Sequence, residues 1–90
     1  MLKANLPIVN ALGLHARAAA RLVRLAVKFK CLITLVREDT QLTANAKSIL
    51  SVLHLAASFG TGLSVIADGE DETDAVSAIR ELFESGFGEL

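Results

Sequence analysis

The sequence contains no tryptophan or tyrosine, and only four phenylalanines, one proline and one cysteine among 90 residues. A single cysteine excludes a disulfide within the chain, and the apolar neighbours of Cys31 indicate a buried thiol rather than a reactive one. RNA-binding modules stack bases on exposed aromatic side chains. Because Phe29 and Phe83 fall on apolar helical faces, a small α+β module that binds nucleic acid is disfavoured.

Charge of one sign and long apolar runs are also missing. Nine basic and ten acidic residues leave a net charge of −1, so overall charge does not favour nucleic acid as a partner. No apolar run approaches the roughly 20 residues that cross a bilayer, and residues 1–5 lack the apolar core of a signal peptide. With 52% hydrophobic and 21% charged residues, we expect one globular domain over residues 1–90, located in the cytoplasm without a membrane partner.

The periodicity of apolar residues predicts seven elements. Apolar residues at every second position from 2 to 8 predict a strand, and Pro7 places it at a sheet edge or close to its own end. The next elements are a helix over 16–28, strands over 31–36 and 41–44, a helix over 49–57 and a strand over 63–67. A last helix begins after Asp71, the predicted N-cap, and stops at Gly86. The order β-α-β-β-α-β-α predicts a two-layer α+β sandwich with helices on one face of four strands.

The segment Gly13-Leu14-His15-Ala16-Arg17 carries the chemistry. N–H groups at the start of a helix have no intrahelical partner and favour anions. A neutral imidazole nitrogen is a nucleophile at physiological pH. Although a lone histidine near a helix start is more often a cap or a surface residue, His15 followed by Arg17 predicts a phosphohistidine held by Arg17 and the helix N–H groups.

A basic stripe begins beside His15 and follows one face of the first helix. Its members are Arg17, Arg21, Arg24 and Lys28. Such a stripe is either a solvated face or a docking surface for an acidic partner. The second predicted helix is apolar nearly all round, so Leu50 and Leu53 either belong to the core or leave surplus apolar surface.

Two segments match the signatures of a known family. The signature G-[LIM]-H-A-R-P-A matches Gly13-Leu14-His15-Ala16-Arg17 and Ala19, and a second, K-S-I-[ML], matches Lys47-Ser48-Ile49-Leu50. The chain therefore resembles, nearly end to end, the histidine-containing phosphocarrier protein (HPr) family of the bacterial phosphoenolpyruvate-dependent sugar phosphotransferase system. It departs from the family at Ala18, where proline is usual, and at Ser51, where many members carry glycine.

The resemblance implies an open-faced two-layer β-sandwich: a four-stranded antiparallel sheet with three helices on one face. It also implies that phosphorylated enzyme I transfers the phosphoryl group of phosphoenolpyruvate to Nδ1 of His15, which passes it to a histidine of an EIIA-type protein. Arg17 and the N–H groups of Ala16 and Arg17 would bind that group. We therefore expect a phosphocarrier rather than an autonomous enzyme, with no cofactor and no metal.

Partner binding follows from the same resemblance. Ile49, Leu50 and Leu53 match docking positions, and Arg21, Arg24 and Lys28 would surround them with positive charge. Ser48 matches the family's regulatory serine, the substrate of an ATP-dependent HPr kinase/phosphorylase where one exists, although taken alone it is most simply an N-cap. The chain is expected to be a monomer.

Two related functions stay open. The ending Ser85-Gly86-Phe87 is similar to that of the nitrogen-related phosphotransferase branch, whose members lack the regulation at Ser48. A mainly regulatory HPr-like protein would act through phosphoserine-dependent partner binding; such relatives usually lack the active histidine, whereas this chain retains His15.

Overall fold

Four strands and three helices follow one another in the predicted order in the computed structural model, which describes all 90 residues. The strands are β1 (Leu2–Leu6), β2 (Leu32–Arg37), β3 (Leu42–Asn45) and β4 (Leu63–Asp68). The helices are α1 (Ala16–Ala26), α2 (Ile49–His54) and α3 (Glu72–Glu84), and a short 3-10 helix follows at Gly86–Gly88. The predicted order β-α-β-β-α-β-α is confirmed.

The strands form one sheet in the order β1-β4-β2-β3, and every neighbouring pair is antiparallel. Alternate residues of a strand point to opposite faces. In β2, Ile33 and Leu35 are therefore buried beneath the helices, whereas Leu32 is 72% exposed on the other face. The sheet is covered on one side only, which confirms the open-faced two-layer architecture.

The core between the two layers contains 23 buried residues. Helix α1 contributes Ala18, Ala19, Leu22 and Ala26, all completely buried. Three alanines on one helical face let the helix axis approach its neighbours closely, since each side chain is a single methyl group. The predicted apolar face of the first helix is thus correct at its centre, although Leu25 and Phe29 are only half-buried.

The helices are shorter than their apolar patterns predict. The second was expected to reach residue 57 but ends at His54, because Ala56 adopts a left-handed conformation (φ 51°). The amides of Leu55 and Ala56 bond to carbonyls three residues earlier, which tightens the final turn. Helix α1 ends at Ala26 rather than at residue 28 through the same kind of bond from Lys28.

The prediction that Asp71 is the N-cap of the last helix is correct in position but not in its side-chain contact. Asp71 directly precedes α3, but its side chain makes no capping hydrogen bond. Instead its carboxylate accepts the backbone N–H groups of Lys30 at 2.8 Å and Cys31 at 2.9 Å. These donors, the Lys30 N–H above all, lower the pKa of Asp71. The carboxylate therefore ties the connection between α1 and β2 to the start of α3.

The segment after α3 is anchored to the core through Phe87. Gly86 ends α3 as predicted, with φ 62°. Phe87 is completely buried and meets Phe83 edge to face, with 4.7 Å between ring centroids. The guanidinium of Arg21 on α1 donates a hydrogen bond to the carbonyl of Phe87. The C-terminal segment is consequently held against the first helix.

None of the helices has the length and the apolar composition that a membrane-spanning helix needs.

Replacing the buried Phe87 should destabilise the protein far more than replacing an exposed phenylalanine. We expect Phe87→Ala to lower the free energy of unfolding by about 3–5 kcal/mol, because it leaves a cavity in the core. Phe59, which is 65% exposed, is the matched control, and its alanine variant should stay within about 0.5 kcal/mol of the parent. Urea unfolding measures both, and equal losses would contradict the assignment.

Candidate functional site

The start of α1 presents several unpaired hydrogen-bond donors. His15 occupies the N-cap position with extended backbone (φ −73°, ψ 177°), and its side chain makes no capping bond. The amides of Ala16, Arg17 and Ala18 donate to no acceptor within the protein. Because these groups carry the positive end of the helix dipole, they form a site suited to an anion.

The loop before α1 is fixed by a close backbone contact. Gly13 has φ 64°, and a Cβ atom there would lie 2.6 Å from Cα of Ser58 and 2.7 Å from the carbonyl oxygen of Ala57. The next amide, that of Leu14, donates to the same Ala57 carbonyl at 2.9 Å. Only glycine permits this approach. The glycine of the signature thus determines where His15 stands.

A buried asparagine links this loop to the C-terminal segment. Asn10 is 1% exposed, and its Nδ2 donates to the carbonyl of Gly13 at 2.9 Å. The same nitrogen donates to Oε1 of Glu89 at 3.0 Å. Asn10 therefore holds the loop that precedes His15 and the carboxylate that faces it.

Glu89 brings a carboxylate against His15, the predicted phosphorylation site, and Arg17, a predicted phosphate-binding residue. Its Oε2 lies 2.6 Å from Nε2 of His15 and 3.4 Å from Nε of Arg17. The bond from Asn10 is the main cause that lowers the pKa of Glu89 from its ordinary 4.5, followed by the bond from His15 and the charge of Arg17. The contacts of the Glu89 carboxylate therefore stabilise the folded protein fully at pH values above 4.5. This stabilisation is lost as the pH falls through the lowered pKa of Glu89.

The carboxylate also determines the proton arrangement of the imidazole. An ionised carboxylate can only accept hydrogen bonds, so Nε2 of His15 is the donor and carries the ring proton. Nδ1 then holds a lone pair, and no group of the protein bonds to it. His15 is 24% exposed, which leaves the ring reachable from solvent.

The basic stripe divides into two parts. Arg17 is 64% exposed and lies at the site, whereas Arg21 is half-buried and bonded to the Phe87 carbonyl. Arg24 and Lys28 are exposed. The structure thus gives Arg21 an anchoring contact that its periodic spacing did not predict, and leaves the other three cations at the surface.

The second helix presents apolar side chains near its first turn. Ser48 is its N-cap, and the hydroxyl oxygen accepts the N–H of Ser51 at 3.4 Å. Leu50 is 78% exposed and Ile49 39% exposed, whereas Leu53 packs partly against the core. Exposed apolar residues on this helix form a candidate contact surface.

Asn10 and Glu89 are site residues that the sequence reasoning missed. They are 79 positions apart, and neither belongs to a periodic pattern or to a signature. Only the similarity of the C-terminal residues to those of related phosphotransferase proteins pointed towards the part of the chain that contains Glu89.

The surface cavities of the structure lie away from His15. Two surface cavities are present, one beside β1 and one between Leu25 and α3, and neither is lined by His15. No group of three or more His, Cys, Asp or Glu side chains is arranged to hold a metal ion.

Comparison with known proteins assigns the chain to a family. The family model described as the PTS HPr component phosphorylation site matches residues 2–85. The phosphocarrier protein HPr of Xylella fastidiosa strain Temecula1 is 49% identical over 89 residues, covering 99% of this chain and 98% of that protein.

Solved structures agree with the family model. HPr of Thermoanaerobacter tengcongensis, 39% identical, superposes with a TM-score of 0.94 over 100% of this chain and 99% of that one. An HPr dimer from the same organism gives a TM-score of 0.77 at 39% identity, over 99% of this chain and 100% of that one. With its fold and its histidine-bearing signature in place, the chain belongs to the HPr family of phosphocarrier proteins of the phosphotransferase system.

Proposed function

We propose that this chain accepts a phosphoryl group on His15 from phosphorylated enzyme I and passes it to a histidine of an EIIA-type protein. The observation that carries the proposal is the unbonded Nδ1 of His15 at the start of α1, beside the unpaired amides of Ala16 and Arg17. Phosphoryl transfer depends mainly on alignment and charge stabilisation, and this arrangement supplies both. The chain then acts as a carrier and needs no cofactor or metal.

The alanine at position 18 is compatible with this role. Helix α1 begins at Ala16 although the usual proline is missing, and Ala18 itself is completely buried. Alanine is the strongest helix former and, unlike proline, keeps an amide hydrogen. The first turn therefore carries one more unpaired N–H than it would with proline.

Docking is proposed to use the apolar residues of α2 and the cations of α1. Ile49, Leu50 and Leu53 supply the apolar part, and Arg17, Arg24 and Lys28 supply charge for an acidic partner. Arg21 supports this surface indirectly, since its guanidinium is bonded to the Phe87 carbonyl. A carrier must exchange partners, so the complexes should form fast and dissociate fast.

Ser48 is the proposed regulatory site for an HPr kinase/phosphorylase. Its half-exposed hydroxyl directly precedes Ile49 and Leu50 in the chain. A phosphoryl group there adds a charge of about −1.5 to −2, which would repel acidic partners from the apolar surface.

The proposed carrier is a cytoplasmic monomer that binds neither membrane nor nucleic acid. Because a Thermoanaerobacter tengcongensis relative is an HPr dimer, the oligomeric state is best measured directly. Sedimentation equilibrium across the concentrations used for transfer assays decides between the two states.

The main test is phosphorylation of the purified chain by enzyme I and phosphoenolpyruvate. We expect intact mass measurement to detect one acid-labile phosphoryl group, absent in His15→Ala. His54→Ala, which alters the other histidine, is the control and should still be phosphorylated. An acid-stable gain that requires ATP and a kinase would instead favour the regulatory function.

A second assay distinguishes the two pathways. It supplies EIIA proteins of the sugar and nitrogen branches separately as acceptors of the phosphoryl group.

Reversing charge on α1 should slow association with the phosphoryl donor. We expect Arg24→Glu to lower the second-order transfer rate about tenfold at low salt, because electrostatic steering is lost. Arg80→Glu changes net charge equally at an exposed position of α3 and should transfer at the parent rate. The difference should shrink at about 1 M salt, where the screening length is about 3 Å. Equal rates for the two variants at low salt would refute the docking role.

A negative charge at position 48 should weaken docking without unfolding the protein. Aspartate is itself a good N-cap, so Ser48→Asp should retain the stability of α2. We expect a higher KM for phosphorylated enzyme I, whereas Ser77→Asp, on the exposed side of α3, should leave it unchanged. An unchanged KM in Ser48→Asp would argue against control through this residue.

A further inference from the structure

We propose that Glu89 is a positioning residue for His15: its carboxylate holds the ring proton on Nε2 and stabilises the positive charge that the ring gains when Nδ1 takes up phosphorus. Glu89 lies outside the signature that contains His15. The transfer step of this inference rests on the proposed function, whereas the arrangement of the ring proton does not.

The first argument is geometric. Oε2 of Glu89 lies 2.6 Å from Nε2 of His15, the distance of a strong charge-assisted hydrogen bond. The Glu89 side chain is only 15% exposed, so water competes little for this contact. A carboxylate that fixes one imidazole nitrogen as donor leaves the other with its lone pair free; in the hydrolytic triads that lone pair accepts a proton, and here it would attack phosphorus.

The second argument is that the carboxylate is built into place. Asn10, itself buried, donates to Oε1 and so orients the group from the side opposite to His15. Phe87 anchors the segment two residues earlier, and Arg21 holds the carbonyl of Phe87. A flexible surface glutamate would have none of these constraints.

The charges balance without moving a proton. The lone pair of Nδ1 forms the bond to phosphorus, while the bond between phosphorus and the donor protein's histidine nitrogen breaks and leaves its electron pair there. The proton stays on Nε2 of His15, so the ring becomes a cation that faces the Glu89 carboxylate. In onward transfer the lone pair of the acceptor protein's histidine nitrogen forms the new bond to phosphorus, while the bond between Nδ1 and phosphorus breaks and its electron pair returns to Nδ1. The ring is then neutral again with the proton still on Nε2.

Arg17 is shared between the two states. Its Nε lies 3.4 Å from Oε2 of Glu89, and the side chain is 64% exposed. The guanidinium is therefore free to turn towards a phosphoryl group on Nδ1, while the shorter bond between His15 and Glu89 is kept. The carboxylate thus orients the ring, and the arginine follows the incoming charge.

The direct test is the imidazole ¹⁵N spectrum of the unphosphorylated protein, at a pH where His15 is neutral. In the parent protein we expect a protonated-type shift for Nε2 and a lone-pair-type shift for Nδ1. Glu89→Ala should move both shifts towards the average of the two tautomers. Glu84→Ala, which removes an exposed carboxylate at the end of α3, should leave them unchanged. Identical spectra for the parent and Glu89→Ala would overturn the proposal.

A kinetic test addresses the charge. Loss of an orienting carboxylate commonly costs about 10- to 100-fold in activity, so Glu89→Ala and Glu89→Gln should lower kcat for phosphoryl acceptance from enzyme I at least tenfold. The KM for the carrier should stay the same, because docking is not altered. Glu89→Gln keeps the side-chain volume, and unchanged kcat in this variant would overturn the charge role.

If the parent protein accepts no phosphoryl group at all, the proposed function fails. The ¹⁵N spectra still decide whether Glu89 sets the tautomer, so the two failures are distinguishable.

Discussion

The contact between Gly13 and the backbone of Ala57 and Ser58 constrains the whole site. This contact requires a residue without Cβ at position 13, and it brings the loop before α1 against the segment that follows α2. His15 follows two residues later, so this backbone packing sets the place of its main chain, and the contact with Glu89 is made by its ring. The unpaired amides of Ala16, Arg17 and Ala18 follow directly at the start of α1. A site built on backbone in this way keeps its shape while the partner proteins change.

The site balances attraction for an anion against the need to release it. Three unpaired amides and Arg17 favour negative charge, but Glu89 already places a carboxylate beside Arg17. In the proposed function, an incoming phosphoryl group would share the arginine with an existing anion. Sharing weakens the hold on the phosphoryl group, and a carrier benefits from that because it has to give the group up. The positive end of α1 alone would bind more tightly and release more slowly.

The sequence predicts those parts of the structure that depend on local periodicity. Alternation in β1 and the four-three spacing along α1 identified strand, helix and buried face, and the order of elements led to the two-layer fold. The same reasoning placed Asp71 at the N-cap but missed the partners of its carboxylate, because these are the amides of Lys30 and Cys31, about forty positions away. Periodicity also predicted too long a second helix, because the left-handed residue that ends it is Ala56 rather than a glycine, which would have indicated a helix end. Long-range polar contacts and non-glycine left-handed residues leave no periodic signal.

The same distinction separates Arg17 from Arg21. Both belong to one stripe with regular spacing, and periodicity treats them alike. In the structure Arg17 contacts the carboxylate of Glu89 and Arg21 is bonded to the carbonyl of Phe87, because the C-terminal segment folds back over only part of α1. That segment joins stability to chemistry: Phe87 fills the core, and Glu89, two residues later, contacts His15. The chain end that completes the core therefore also completes the site, and changes in this segment should be judged by their effect on His15 as well as on folding.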